Sequence, residues 1–307
     1  MKLIEYINSH NYYGDDYITI IQMEKLMTKL SSMHNNFTYQ PLDLKIDISK
    51  INQKYNVLFS CNGDLDFPRP TNRTVVEYNN SNLNEYDERK QQYINNIPYI
   101  DKLEVSQLNE IPQHIHKIYC HSVGIEHEKV NMVPIGRDFK NVDFFPIVDK
   151  LTKNEKQILC YNNLTLPPKC FHWYGTIRKT IFDTACSKSF VYCKKCDVHP
   201  RQYSQNDIIQ YYIDISKSKF MLCPRGCGID TYRLWDSIHM GCIPIVEEYD
   251  GYNQFKDLPI LYLNSWKEFE NMNAEFLEQK WNEMLYCEYN YDKLRLSYWE
   301  NEFLSNA

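Results

Sequence analysis

The 307-residue sequence holds 25 Tyr, only 9 Gly, 43% hydrophobic and 24% charged residues, proportions that exclude collagen-like, low-complexity and largely disordered chains. A formal net charge of −6 offers no basic field for nucleic acid, so any anionic ligand has to be met by local cations. No apolar run reaches the ~18 residues of a membrane span, and Glu5, Asn8 and His10 break the opening residues before a signal-peptide core forms, which predicts a cytoplasmic chain.

In chain order, apolar periodicity predicts a helix over 20–33 and a strand over 55–61 that runs into Asp64 and Asp66. A helix over 85–95 and strands over 116–121 and 131–135 follow. A charged, Pro-containing stretch at 139–154 marks a boundary, dividing the chain into residues 1–148 and 149–307. Beyond it, strands over 157–161, 189–193, 219–223 and 242–247 alternate with helices over 177–186, 208–216 and 231–240. This alternation predicts α/β layers. Residues 266–304 read as almost wholly helical, with Phe276, Trp281, Leu285, Leu294 and Trp299 as packing positions.

The 11 cysteines are odd in number and irregularly spaced, and Cys120, Cys160, Cys223 and Cys242 fall in strand-like runs, so mostly reduced, buried thiols are expected. In that setting the Asn-x-Ser/Thr matches at Asn36, Asn72 and Asn163 carry little weight. Cys193 and Cys196 form a C-x-x-C near Cys170, His172, Cys186 and His199, but no second C-x-x-C accompanies it, and no metal site is assigned.

The segment that carries chemistry is 219–248, KFMLCPRGCGIDTYRLWDSIHMGCIPIVEE. An apolar strand stops at Pro224, a loop supplies Arg225, Gly226 and Gly228, a helix starts at Asp230 or Thr231, and Gly241 ends it before a second strand. Glycines entering a helix N-terminus let backbone N–H groups approach a phosphate, with the helix dipole favouring its charge. Arg225 adds a cation and Thr231 a hydroxyl. Arg233 and Asp236, three apart on one helix face, are placed to meet phosphates and ribose hydroxyls respectively. Two alternatives stay open. Arg233 and Asp236 can simply pair across the helix surface, or the loop can be a dinucleotide fingerprint with Glu247 or Glu248 as its ribose acid, although the third glycine is missing.

The run CPRGCGIDTYRLWDSIHMGCIPI resembles the donor-binding signature of exostosin-like glycosyltransferases, matching it at Pro224, Arg225, Gly226, Thr231, Arg233, Gly241, Cys242 and Pro244. Asp236 stands where that family usually has Glu. Two weaker stretches look like giant-virus and plant relatives of the group: His127 to Val130 with Val133-Pro134-Ile135-Gly136, and the strand 157–161 followed by Arg178 in a helix. The resemblance implies a GT-B fold: two Rossmann-like domains facing a cleft, an acceptor-side domain first, a donor domain second, and a final helical segment crossing back. It further implies a nucleoside-diphosphate sugar as donor, with a UDP-sugar first in line, and a glycan or glycoprotein acceptor. Together with the reading of the loop, it gives a donor set of Arg178, Arg225, Gly226, Gly228, Asp230, Thr231, Arg233 and Asp236.

With cations and a helix terminus facing the leaving group, neither a metal nor another cofactor is required. Asp64, Asp66 and His121, just past strand ends of the first half, are the candidates for the base that takes the acceptor's proton. Asp64 ranks first because Gly63 gives its loop room to approach a substrate. Asp64-Leu-Asp66 also matches the D-x-D of metal-dependent GT-A transferases, and a nucleotide or sugar binder without turnover is the other alternative.

Overall fold

The computed structural model describes residues 1–9, 16–39, 52–60, 111–123, 127–151, 153, 155–164, 173–194, 204–226 and 228–306. Asp64, Asp66, Asn72, Cys170, His172, Cys196, His199 and the helix expected over 85–95 lie outside them.

The described chain is α/β with two parallel sheets. The first takes the order β1 (Phe37–Tyr39), β2 (Val57–Ser60), β3 (Lys117–Cys120), β4 (Val130–Met132). Helix α1 (Leu3–Asn8) precedes it, as does α2 (Ile20–Met33), which is capped by the Thr19 hydroxyl accepting from the Gln22 N–H. Met23, Leu26, Met27 and Leu30 give α2 one buried face at helical spacing. A 3-10 turn (Phe139–Phe144) and the short helix α3 (Phe145–Val148) then lead into the second half.

The second sheet is built from β5 (Ile158–Asn162), β6 (Val191–Cys193), β7 (Ser218–Leu222), β8 (Ile243–Glu247) and β9 (Leu261–Leu263), in the spatial order β6-β5-β7-β8-β9. Helices α4 (Trp173–Cys186), α5 (Gln205–Ser216) and α6 (Tyr232–His239) make its crossovers. Ser204 and Asp207 close a reciprocal capping box at the start of α5. From β5 the chain moves to one side to form β6, then back across to form β7. Such a reversal opens a crevice at the carboxyl ends of the two central strands.

Residues 266–304 are more broken than expected. They form α7 (Trp266–Asn271), α8 (Ala274–Met284) and α9 (Leu296–Ser305), because Asn273 starts a new helix by accepting from the Phe276 N–H and a 3-10 turn (Tyr291–Leu294) interrupts the rest. Trp281, Leu285, Leu294 and Trp299 are buried as expected, whereas Phe276 is exposed beside Lys280. The last helix packs back on the first sheet, with the Phe303 ring 5.0 Å from Phe59 and 4.7 Å from Tyr119. Buried apolar residues of both sheets form one continuous cluster. No helix among the described residues is long and apolar enough to cross a membrane.

Cys120, Cys160, Cys223 and Cys242 are buried free thiols, as expected. Cys186 and Cys193 depart from that expectation and form a disulfide, because the tight turn after α4 brings the helix end beside β6 with Cα atoms 5.6 Å apart. Asn162, at the end of β5, points its amide at both sulfurs, 3.6 and 3.4 Å away. With Cys193 so engaged, the C-x-x-C has no free thiol pair to offer a metal.

Residues 133–137 leave β4 and run alongside the second half. Gly136 has φ +71°, and a Cβ there would lie 2.1 Å from the Ile18 carbonyl oxygen. The Gly136→Ala variant is therefore expected to lose more than about 2 kcal/mol of stability, from left-handed strain of about 1–2 kcal/mol plus a clash with fixed backbone. Urea denaturation checks this, and an unchanged midpoint refutes it.

Candidate functional site

The β7–α6 loop sits at the carboxyl end of β7, next to the end of β5, at the crevice opened by the strand-order reversal. Pro224 and Arg225 follow the strand. Their carbonyls are held by Arg178 from α4, whose Nε donates to Arg225 O at 2.9 Å and whose Nη2 donates to Pro224 O at 3.3 Å. A Cβ on Gly226 would come within 3.1 Å of Arg178 Nη2, so the missing side chain admits the guanidinium. The Gly226 N–H turns inward to Gly228 O at 3.0 Å. This differs from the expectation of a bare N–H group at that glycine.

Arg233, on the first turn of α6, reaches across the crevice to the residue after β5. Its Nη1 donates to Asn163 Oδ1 and its Nη2 donates to Asn163 O at 3.0 Å. Both acceptors are neutral, and no carboxylate among the described residues pairs with Arg233. Asn163 is buried, held at the mouth of the sheet by its place in the chain. Arg225 lies over Tyr249, its guanidinium carbon 5.5 Å from the ring centre. Thr231 precedes the helix in extended conformation with no side-chain cap, and its buried Oγ1 has no hydrogen-bond partner among the described residues. Three guanidinium groups and an unsatisfied hydroxyl therefore meet at one loop.

Asp230 and Asp236, expected as donor contacts, are both engaged by groups inside the protein. Asp230 Oδ2 accepts from the Ile135 N–H at 2.8 Å, and Oδ1 accepts from the Thr231 N–H and Trp235 Nε1, each at 2.8 Å. Burial pushes its carboxyl up to about 7, against the pull of those donors. Asp236 is 1% exposed. It accepts from Tyr212 at 3.0 Å and Tyr211 at 3.2 Å, with Arg137 Nε 3.6 Å away. Burial raises Asp236 to about 7 as well, opposed chiefly by Arg137. Arg233 and Asp236 thus share a helix face without pairing, because their partners come from opposite sides: Asn163 past β5 for one, Arg137 past β4 for the other.

His121 follows β3 and is fully buried. Its Nδ1 lies 2.9 Å from Val133 O, and since a carbonyl only accepts, Nδ1 carries the proton. Nε2 then holds a lone pair, with no partner among the described residues. Ser122 beside it adopts φ 56°, a strained conformation for a non-glycine residue, and its Oγ accepts from the Asp230 N–H at 3.3 Å. The structure thus brings His121 next to the β7–α6 loop through Ser122. Among the described residues no group of His, Cys, Asp and Glu converges as a metal site.

Reasoning from the sequence missed Asn163 as an anchor, reading it only as a glycosylation match, and missed Arg137 altogether. The available signals were the position of Asn163 directly after an apolar strand and that of Arg137 directly after the Val-Pro-Ile-Gly run.

Burial lowers the His121 pKa from 6.5 to about 4, partly offset by the Val133 carbonyl. A depressed histidine contributes stability that is present above pH 6.5 and is lost as the pH falls through 4. NMR should show the His121 ring titrating near pH 4 in the folded protein; a midpoint near 6.5 contradicts the burial described.

The model of the RXYLT1 C-terminal domain family matches residues 173–306. That span opens at the helix carrying Arg178, contains Arg225, Thr231 and Arg233, and ends in the last helix. No curated protein matches the chain. The family match speaks to the class of reaction rather than to source, donor sugar or acceptor, and it supports a glycosyltransferase.

Proposed function

We propose that the chain transfers a pentosyl or hexosyl group from a nucleoside-diphosphate sugar, UDP-linked in the first instance, to a hydroxyl of a glycan or glycoprotein. The observation that carries this reading is Arg233 spanning the crevice at the end of β5, held by uncharged oxygens of Asn163 and so retaining its charge for an anion. Arg178, Arg225, Gly228, Thr231 and Arg233 would cradle the diphosphate, with Gly226 giving Arg178 room, while Asp230 and Asp236 shape the loop and helix from behind. The two parallel sheets, with the last helix returning to the first, support a GT-B arrangement with the acceptor on the side of residues 1–148.

Departure of a nucleoside diphosphate builds negative charge on its β-phosphate. Fixed cations stabilise that charge without reorganising at the moment of reaction. The acceptor's proton goes to a base from the first half, and Asp64 is proposed ahead of Asp66 and His121. Burial brings His121 down to about 4, the range of an ordinary carboxylate, so its basicity gives it no advantage over Asp64 or Asp66.

Two measurements test the reading. Removing a charge-assisted contact to phosphate costs about 1.5–3 kcal/mol, so Arg233→Ala should weaken UDP binding by roughly ten- to a hundredfold in calorimetry. Unchanged affinity would remove the loop as the nucleotide site. Transfer or donor hydrolysis should also persist in EDTA; loss on chelation, restored by manganese, would return Asp64 and Asp66 to a metal-binding role.

A further inference from the structure

The five residues Val133-Pro-Ile-Gly-Arg137 belong to the first half, yet three of their polar groups reach parts of the candidate site. Val133 O accepts from His121 Nδ1 at 2.9 Å. The Ile135 N–H donates to Asp230 Oδ2 at 2.8 Å, at the start of α6. Arg137 lies 3.6 Å from Asp236 Oδ1 in the second turn of the same helix, an ion pair too long for a hydrogen bond.

Arg137 is built to stay in place. It is 0% exposed, donates through Nη1 to both oxygens of Asp149 at 2.9 and 3.1 Å, and stacks its guanidinium 3.6 Å from the centre of the Phe145 ring. The backbone before it is fixed as well, because Gly136 packs against Ile18 and the Arg137 N–H donates to Ile18 O at 2.9 Å. Asp236 lies three residues beyond Arg233, one turn along the same face of α6. Displacing the helix at Asp236 therefore displaces the guanidinium at the crevice.

We infer that Arg137 is a positioning residue for the donor site: acting through Asp236, it sets the placement of α6 and hence of Arg233 over the crevice, while its own segment orients His121 on the acceptor side. The inference rests on the nucleotide-sugar reading above. It adds that the first half sets donor affinity without touching the donor.

A double-mutant cycle tests it, with UDP titrated calorimetrically into the full chain, Arg137→Lys, Arg233→Ala and the double variant. Changes along such a network typically shift affinity on the order of two- to thirtyfold. Arg137→Lys should weaken UDP binding within that range when Arg233 is present and have almost no effect when Arg233 is already alanine. Equal losses in both backgrounds, or wild-type affinity in Arg137→Lys, overturn the inference while leaving the Arg233 site intact. Absence of UDP binding by the unsubstituted chain overturns the nucleotide reading and this inference with it. If Arg137→Lys does not fold, the isosteric Asp236→Asn variant is titrated with both UDP and inorganic pyrophosphate. A residue acting through Arg233 weakens both ligands; a loss confined to UDP marks Asp236 as a ribose contact and overturns the positioning role.

Discussion

A guanidinium normally spends its charge on the nearest carboxylate, and a buried or half-buried one left without such a partner would be costly unless neutral dipoles fixed it and a ligand completed it. Arg233 is in that condition. The two oxygens of Asn163 hold its fork in place but leave its charge uncancelled, and the crevice between β5 and β7 is where the strand order leaves room for a ligand. The placement of the loop, the absence of a side chain at Gly226 and the approach of Arg178 all serve to keep cations at that one mouth.

Behind the mouth, the arrangement inverts. Asp230 and Asp236 are carboxylates drawn inside the protein, and each meets a group from the first half: the Ile135 N–H donates to one, and the Arg137 guanidinium faces the other as an ion pair at 3.6 Å. Because burial raises both pKa values to about 7, their contribution to stability is complete at low pH and is lost as the pH rises through 7, the reverse of His121. The two halves are therefore joined by polar contacts at the same helix that carries Arg233.

Much of this was legible in the residues. Pro224, the glycines and Gly241 punctuate the strand, loop and helix at the right places, and the α2 stripe defines its own buried face. What stayed hidden was set by tertiary neighbours. Helical spacing puts Arg233 and Asp236 on one face but does not say that Asn163, 70 residues upstream, and Arg137, from the segment after β4, will claim them separately. The strands β1 and β9, three residues each, are too short to show periodicity. Phe276 carries an apolar side chain at a helix start whose buried face is defined instead by Leu277 and Trp281. The Cys186–Cys193 disulfide depends on a turn geometry that counting cysteines does not reveal.

The most direct test of the account is a crystal structure of the chain grown with UDP. The diphosphate should lie at the carboxyl ends of β5 and β7, with phosphate oxygens within hydrogen-bond reach of Arg233 and of Thr231 Oγ1, and Asp236 still turned toward Arg137. Density for the nucleotide at the first sheet, or a diphosphate out of reach of Arg233, would contradict it.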